Sequence, residues 1–146
     1  MDAQMLGAIS TALSVIAVII TAIIAWLVFQ GQKKLSQRQL IIPLWKYLSN
    51  IREIDPEKPI ASDVINLVNT LELVAICCEG GMVDEEVIKR TFSDGFIHHS
   101  EAILRINNNI QGLGKDGKTI FKENKSAYQF YTKLTDEYYS ANKLGK

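Results

Sequence analysis

VNTLELVAICCEGGMVDEEVIKR, Val68 to Arg90, sets a carboxylate (Glu72) and two adjacent cysteines (Cys77, Cys78) inside an apolar run, followed by a glycine pair and a cluster of acids. Acids and thiols are costly to bury, so they serve either chemistry or architecture. The spacing favours architecture. Val64, Leu67, Val68, Leu71, Val74, Ala75 and Cys78 form one stripe at helical spacing. Ser62 or Asp63 is placed to cap that helix, and Gly80-Gly81 to end it. Cys78 falls in the stripe, where a thiol behaves as a small hydrophobe. Cys77 points elsewhere, so the pair does not converge on a metal, and neighbours in a helix do not easily close a disulfide. Glu72 projects beside the stripe, near the azimuth of Glu79, where a boundary carboxylate hydrogen-bonds an adjoining helix or meets a base. The functional alternative is a buried acid with a raised pKa, but no second catalytic group can be assigned to it. Beyond the glycines, Asp84 is a good N-cap, and Glu85 and Glu86 suit the first turn of a helix. Val83 and Ile88 can form a hydrophobic staple across that start. The stretch reads as helix, glycine turn, capped helix.

Upstream the chain changes character. Acids and bases balance at 16 each over 146 residues, so no global field favours nucleic acid. That balance hides an asymmetry: between Asp2 and Lys33 there is no ionisable side chain. Met5 to Phe29 is almost wholly apolar, and as a helix of roughly 37 Å it exceeds the ~30 Å of a bilayer's hydrocarbon core. Trp26 and Phe29 suit the headgroup interface. A cleaved signal peptide usually has a basic start and a shorter apolar run; here the start is acidic and the bases follow. A single membrane span is expected. Lys33, Lys34, Arg38 and Lys46 flank its C-terminal end, so the positive-inside rule puts the N-terminus outside and the rest in the cytoplasm, at the inner (cytoplasmic) membrane. A reducing cytosol then accounts for free thiols. Gly7, Ser10, Ser14, Ala17 and Thr21 recur at 3,4 spacing and form a seam for self-association, although Ser and Thr also bond back to their own helix.

The expected fold class is all-α: one N-terminal transmembrane helix followed by a small cytoplasmic helical bundle. Residues 1–32 form the anchor, 33–59 a juxtamembrane helix and linker, and 60–146 the helical domain. Leu35, Ile42, Trp45, Leu48 and Ile51 mark the first helix beyond the span, which Pro43 should bend or interrupt. DPEKP, Asp55 to Pro59, is a turn or linker. Ile88, Phe92, Phe96, His99, Ile103, Ile106 and Ile110 continue the 3,4 pattern, with Ser93-Asp94-Gly95 able to split it into two helices. His99 on the apolar face, with His98 beside it, is expected as a hydrogen-bonded core residue, since no HxxxH or HExxH spacing accompanies it. A last aromatic helix runs from about Asn124 to Asn142, with Tyr128, Phe130, Tyr131, Leu134 and Tyr138 for packing. Sustained period-two alternation is missing, so little or no strand is expected.

Asn69-Thr70-Leu71-Glu72-Leu73-Val74-Ala75, followed by Gly81-Met82-Val83-Asp84-Glu85, resembles a family of small bacterial and phage proteins that pair an N-terminal membrane helix with a helical domain of unknown function. The resemblance implies anchor plus helices, with Asn69 and Glu72 as shared polar positions, and it implies no activity. Its bacterial and phage setting suggests, by analogy only, defence or superinfection exclusion.

One motif points toward an enzyme. GLGKDGKT, Gly112 to Thr119, satisfies G-x-x-x-x-G-K-[ST], in which Lys118 would reach phosphates and Thr119 would hold Mg²⁺. A phosphate loop leaves a buried strand, yet here a helical pattern precedes it, and glycine, lysine and aspartate also build ordinary turns. The expectation is therefore a non-enzymatic, membrane-anchored interaction or regulatory module, with no catalytic, cofactor or metal residues. Membrane lipid, a second copy through the span and a cytoplasmic protein are its expected partners, and nucleic acid is not. A membrane-active effector is the alternative, and a nucleotide-binding domain at Gly112 to Thr119 the distant one.

Overall fold

The computed structural model describes residues 3–144, with side chains placed at residue 11 and over 13–140. It holds five helices and, among the described residues, no strand: α1 (Ala3–Ser49), α2 (Ala61–Glu79), α3 (Glu85–Leu104), α4 (Gly117–Glu123) and α5 (Lys125–Leu144). The expected all-α class stands. The chain divides between Ser36 and Gln37 into two compact units.

In the first unit α1 is apolar on every side, and all its described side chains are exposed, Ile19, Ile23, Trp26 and Phe29 among them. It is long and apolar enough to cross a membrane, properties that spans share with signal sequences near an N-terminus. Within the seam, the Thr21 hydroxyl donates to the Ala17 carbonyl at 2.9 Å, satisfying its polarity in its own helix. Of Gly7 and Ser10 only the helical backbone is described, and Asp2 lies outside the described residues.

In the second unit α1 runs through Pro43 to Ser49 without the expected interruption. Proline costs only the hydrogen bond to the Gln39 carbonyl, and both residues are exposed, so water can take its place. The phase of this segment also differs from expectation. Leu35, Ile42 and Trp45 are exposed, while Ile41, Leu44, Leu48, Ile51 and Ile54 meet the core. The Gln37 amide donates to the Gly81 carbonyl at 2.9 Å from the same side as Leu44 and Leu48, which fixes the rotation. Asp55 closes the following turn, its carboxylate accepting from Glu57 N at 2.9 Å and its carbonyl from Lys58 N at 3.2 Å.

All seven stripe residues of α2 are buried, and α2 packs against α3, α4 and α5, most extensively α5. Its N-cap is Ile60, with no side-chain cap bond; Ser62 and Asp63 fall inside the first turn instead. The chain turns back at Gly81, whose φ of +63° favours glycine, and Met82 N and Val83 N both donate to the Cys77 carbonyl. Asp84 caps α3 as expected, accepting from Glu86 N at 3.0 Å, and Val83 and Ile88 are both buried.

α3 is unbroken through Ser93-Asp94-Gly95. Packing outweighs the local break signal: Phe96 stands edge-on to Phe92 at 6.4 Å and to Phe130 at 5.0 Å, so both flanks of the glycine are tied to neighbours. Ser100, not His99, takes the fully buried position between Phe96 and Ile103; His99 is half-buried beside it, with no hydrogen bond among the described residues. Ile106 and Ile110 remain buried after the helix has ended. Gly117 N then donates to the Ile106 carbonyl at 3.1 Å, bringing α4 so close to α3 that a Cβ on Gly117 would collide with the Ile103 carbonyl oxygen.

Two substitutions test this packing in opposite directions. Gly117→Ala should cost about 3 kcal/mol through overpacking against backbone. The Ser100 hydroxyl is buried and unpartnered among the described residues, so Ser100→Ala should gain about 1 kcal/mol by removing an orphan polar group. Denaturant unfolding of the detergent-solubilised chain reads both; equal effects of the same sign would contradict the packing described.

Candidate functional site

Polar side chains that sequence alone marks for chemistry are found holding helices in place. Glu72 is half-buried on the border of α2 and faces the start of α5. One carboxylate oxygen accepts from Ala127 N at 2.6 Å and the other from Ser126 N at 3.3 Å. These amides belong to the first turn of α5, which its own backbone cannot satisfy. Glu79, two turns on along α2, accepts from the Ser126 hydroxyl at 3.0 Å. Asn124, at the junction of α4 and α5, turns its side-chain NH2 back to the Ile120 carbonyl, and its side-chain oxygen accepts no bond from the first turn of α5 among the described residues. Glu72 therefore caps α5 from another helix, the bond to an adjoining helix that its position suggested.

The thiols are free. Burial, reinforced by the nearby charge of Glu85, pushes Cys78 up to about 12, and burial alone raises Cys77. Both stay protonated near neutrality, the unreactive state. The His98 and His99 rings meet edge-on at 5.5 Å. Burial lowers the His99 pKa, the neighbouring His98 adds to that, and Glu53 opposes it. Among the described residues no three His, Cys, Asp or Glu side chains gather as metal ligands would. Lys89 lies between Glu85 at 3.0 Å and Glu137 at 2.8 Å, and Lys133 meets Glu85 at 2.6 Å, so this cluster ties α3 to α5. The hydrogen bond from Lys133 leads in holding the Glu85 carboxyl below the ordinary carboxylate range.

GLGKDGKT forms the turn after Ile110 and the first residues of α4. Gly112 and Gly114 adopt φ of +91° and +66°, which makes the turn, and Gly117 is the close-approach residue. The backbone amide of Thr119 is bonded by the Asp116 carboxylate at 2.7 Å. A carboxylate thus stands where a phosphate loop presents open amides. Lys115 is committed to Glu123 at 2.6 Å, and Lys118 and Thr119 are exposed.

One concavity among the described residues is not marked by the sequence. A groove of about 500 Å³ runs between the end of α1 and α2, with Tyr47 and Arg52 on one side and Asp63, Asn66, Asn69 and Leu73 on the other. Its only trace in the sequence is that Asn66, Asn69 and Thr70 recur at helical spacing beside the buried stripe, where a solvated border would ordinarily carry charge.

A protein-family model described as "Domain of unknown function (DUF4760)" matches residues 8–138. No curated protein and no solved structure matches.

Removing the trans-cap should loosen α5 specifically. Glu72→Ala is expected to cost about 2–3 kcal/mol, and Glu72→Gln, which keeps an acceptor but loses the charge facing the helix start, about 1 kcal/mol. Amide hydrogen exchange should quicken first at Ser126 to Phe130; unchanged exchange there in Glu72→Ala would contradict the capping role.

Proposed function

The chain belongs to the DUF4760 family, and from its architecture we propose a single-span membrane protein whose helical domain is a docking module. The observation that carries this is that α1 over residues 13–29 is apolar around its whole circumference with every side chain exposed, while residues 37–146 form a unit with its own core. An uncovered helix of that kind is stable in hydrocarbon and not in water. The flanks support a span over a cleaved signal peptide: the acid precedes the apolar run and the bases follow it. Lys33, Lys34, Arg38 and Lys46 at the C-terminal end favour a short N-terminus outside and the domain in the cytoplasm. The seam of Ser14, Ala17 and Thr21 gives a second copy a place of close approach within the membrane.

A docking role is favoured over catalysis because the groups best suited to chemistry are already engaged. Glu72 caps α5, Cys78 is a buried thiol, and Asp116 fills the start of α4. What remains open is the uncharged and apolar surface of α2 and the groove beside it.

Carbonate extraction should leave the full-length chain in the membrane pellet, and a reporter fused after Lys146 should be active only on the cytoplasmic side. Release into the supernatant, or activity only outside, would overturn the anchor. In equilibrium dialysis, ATP and GTP should show no saturable binding to the solubilised chain; saturable binding abolished by Lys118→Ala would replace docking with nucleotide chemistry.

A further inference from the structure

The groove beside α2 gathers groups that this chain leaves without partners. Arg52 and Asp63 line it together with opposite charges, yet neither takes part in an ion pair among the described residues. The Asp63 carboxylate accepts only a 3.4 Å bond from the Ser62 hydroxyl. The side-chain amides of Asn66 and Asn69 make no hydrogen bond among the described residues; Asn66 contributes only its backbone carbonyl, to Thr70. Alongside, α2 shows Ile65, Leu73 and Ile76 about 40% exposed, with Asn69 one turn from both Ile65 and Leu73. α2 is apolar enough by composition to cross a membrane, yet only part of it is buried. The core helix of an ordinary domain has such a composition too, and here the outer Ile65, Leu73 and Ile76 are left uncovered.

We propose that this face is the contact between two copies of the chain, paired about a two-fold axis. In such an interface each residue meets its opposite number twice, so one unpaired base and one unpaired acid suffice for two ion pairs. Arg52 of one copy meets the partner's Asp63, and Asp63 meets the partner's Arg52. Each Asn amide is both donor and acceptor, so Asn66 and Asn69 complement the same residues of a second copy. Ile65, Leu73 and Ile76 then close against their own counterparts. The other acids of α2, Glu72 and Glu79, are bound to the start of α5, which leaves Asp63 as the α2 acid at this face. A small molecule fits less well: six of the ten lining residues are exposed, whereas such sites enclose most of their ligand. The ion pairs set register more than affinity. This rests on the docking-module reading above, and the span adds effective concentration by confining both copies to one membrane.

Oxidative crosslinking of the full chain in membranes tests the contact. In a Cys77→Ser/Cys78→Ala background, Asn69→Cys should form a disulfide dimer about tenfold faster than Lys122→Cys at an exposed position of α4. Arg52→Asp alone and Asp63→Arg alone should each lower that yield severalfold, since like charges then face each other. Co-expressing the two differently tagged single variants should restore a mixed dimer, because every acid again meets a base across the axis. Equal crosslinking at positions 69 and 122, or no recovery in the mixed pair while each variant retains its helical circular dichroism, would overturn the proposal. Thr21→Leu separates this contact from the seam in the span: loss of the position 69 dimer in that variant alone would assign pairing to the span and overturn the groove. Release of the chain by carbonate would sink the anchor while leaving the crosslinking result to stand by itself.

Discussion

A helix begins with amide groups that its own backbone cannot bond, and in α5 those amides face the interior of the domain. α4 and α5 are separated by Asn124 alone, whose side-chain NH2 bonds back to α4 and whose side-chain oxygen takes no bond from α5 among the described residues. The cap has to come from elsewhere, and Glu72 supplies it from the middle of α2. Charge-assisted bonds of this kind contribute about 1.5–3 kcal/mol each at most, against a total stability of about 5–15 kcal/mol for a domain. One carboxylate therefore carries a large share. It also sets register: with Ser126 and Ala127 held at Glu72, the next turns of α5 bring Phe130 and Leu134 into the core.

How much of this is legible in the sequence depends on whether the deciding partner is near or far along the chain. The α2 stripe, the Gly81 turn and the Asp84 cap follow local rules, and all three are found where the residues place them. Beyond its wholly apolar segment, α1 is apolar on two faces, one with Leu35, Ile42 and Trp45 and the other with Ile41, Leu44 and Leu48. Periodicity cannot choose between them. The choice is made by Gln37 reaching Gly81, 44 residues away. His99 and Ser100 are adjacent on α3, and packing from α5 through Phe130 and Phe96 puts the smaller side chain inside. Glu72 was readable as a boundary carboxylate, but the amides it serves lie 54 and 55 residues downstream. The groove was illegible for a further reason: its walls come from the end of α1, a linker and α2, and no local pattern unites them.

GLGKDGKT shows how one string of letters can serve two kinds of physics. Nucleotide binding needs glycines so that amides can crowd around phosphate. Here Gly112 and Gly114 reverse the chain after Ile110, and Gly117 admits the Ile103 carbonyl. An anion does sit at the start of α4, but it is the chain's own Asp116. The helix-start preference for negative charge is met internally.

α2 divides its circumference between three tasks, and the division bears on what the domain is for. The inward stripe builds the core. One polar border, Glu72 and Glu79, is consumed by α5. The other border carries Asn66, Asn69 and Thr70 and no base, beside the exposed Ile65, Leu73 and Ile76. Were that border meant only for water, charged side chains would serve better, since they keep surfaces soluble and apart. Amides give up less on desolvation than charges do, and can bond to one another when water leaves. The uncharged polar edge and uncovered apolar face support the proposed contact with a second copy, which Arg52 and Asp63 at the groove would orient.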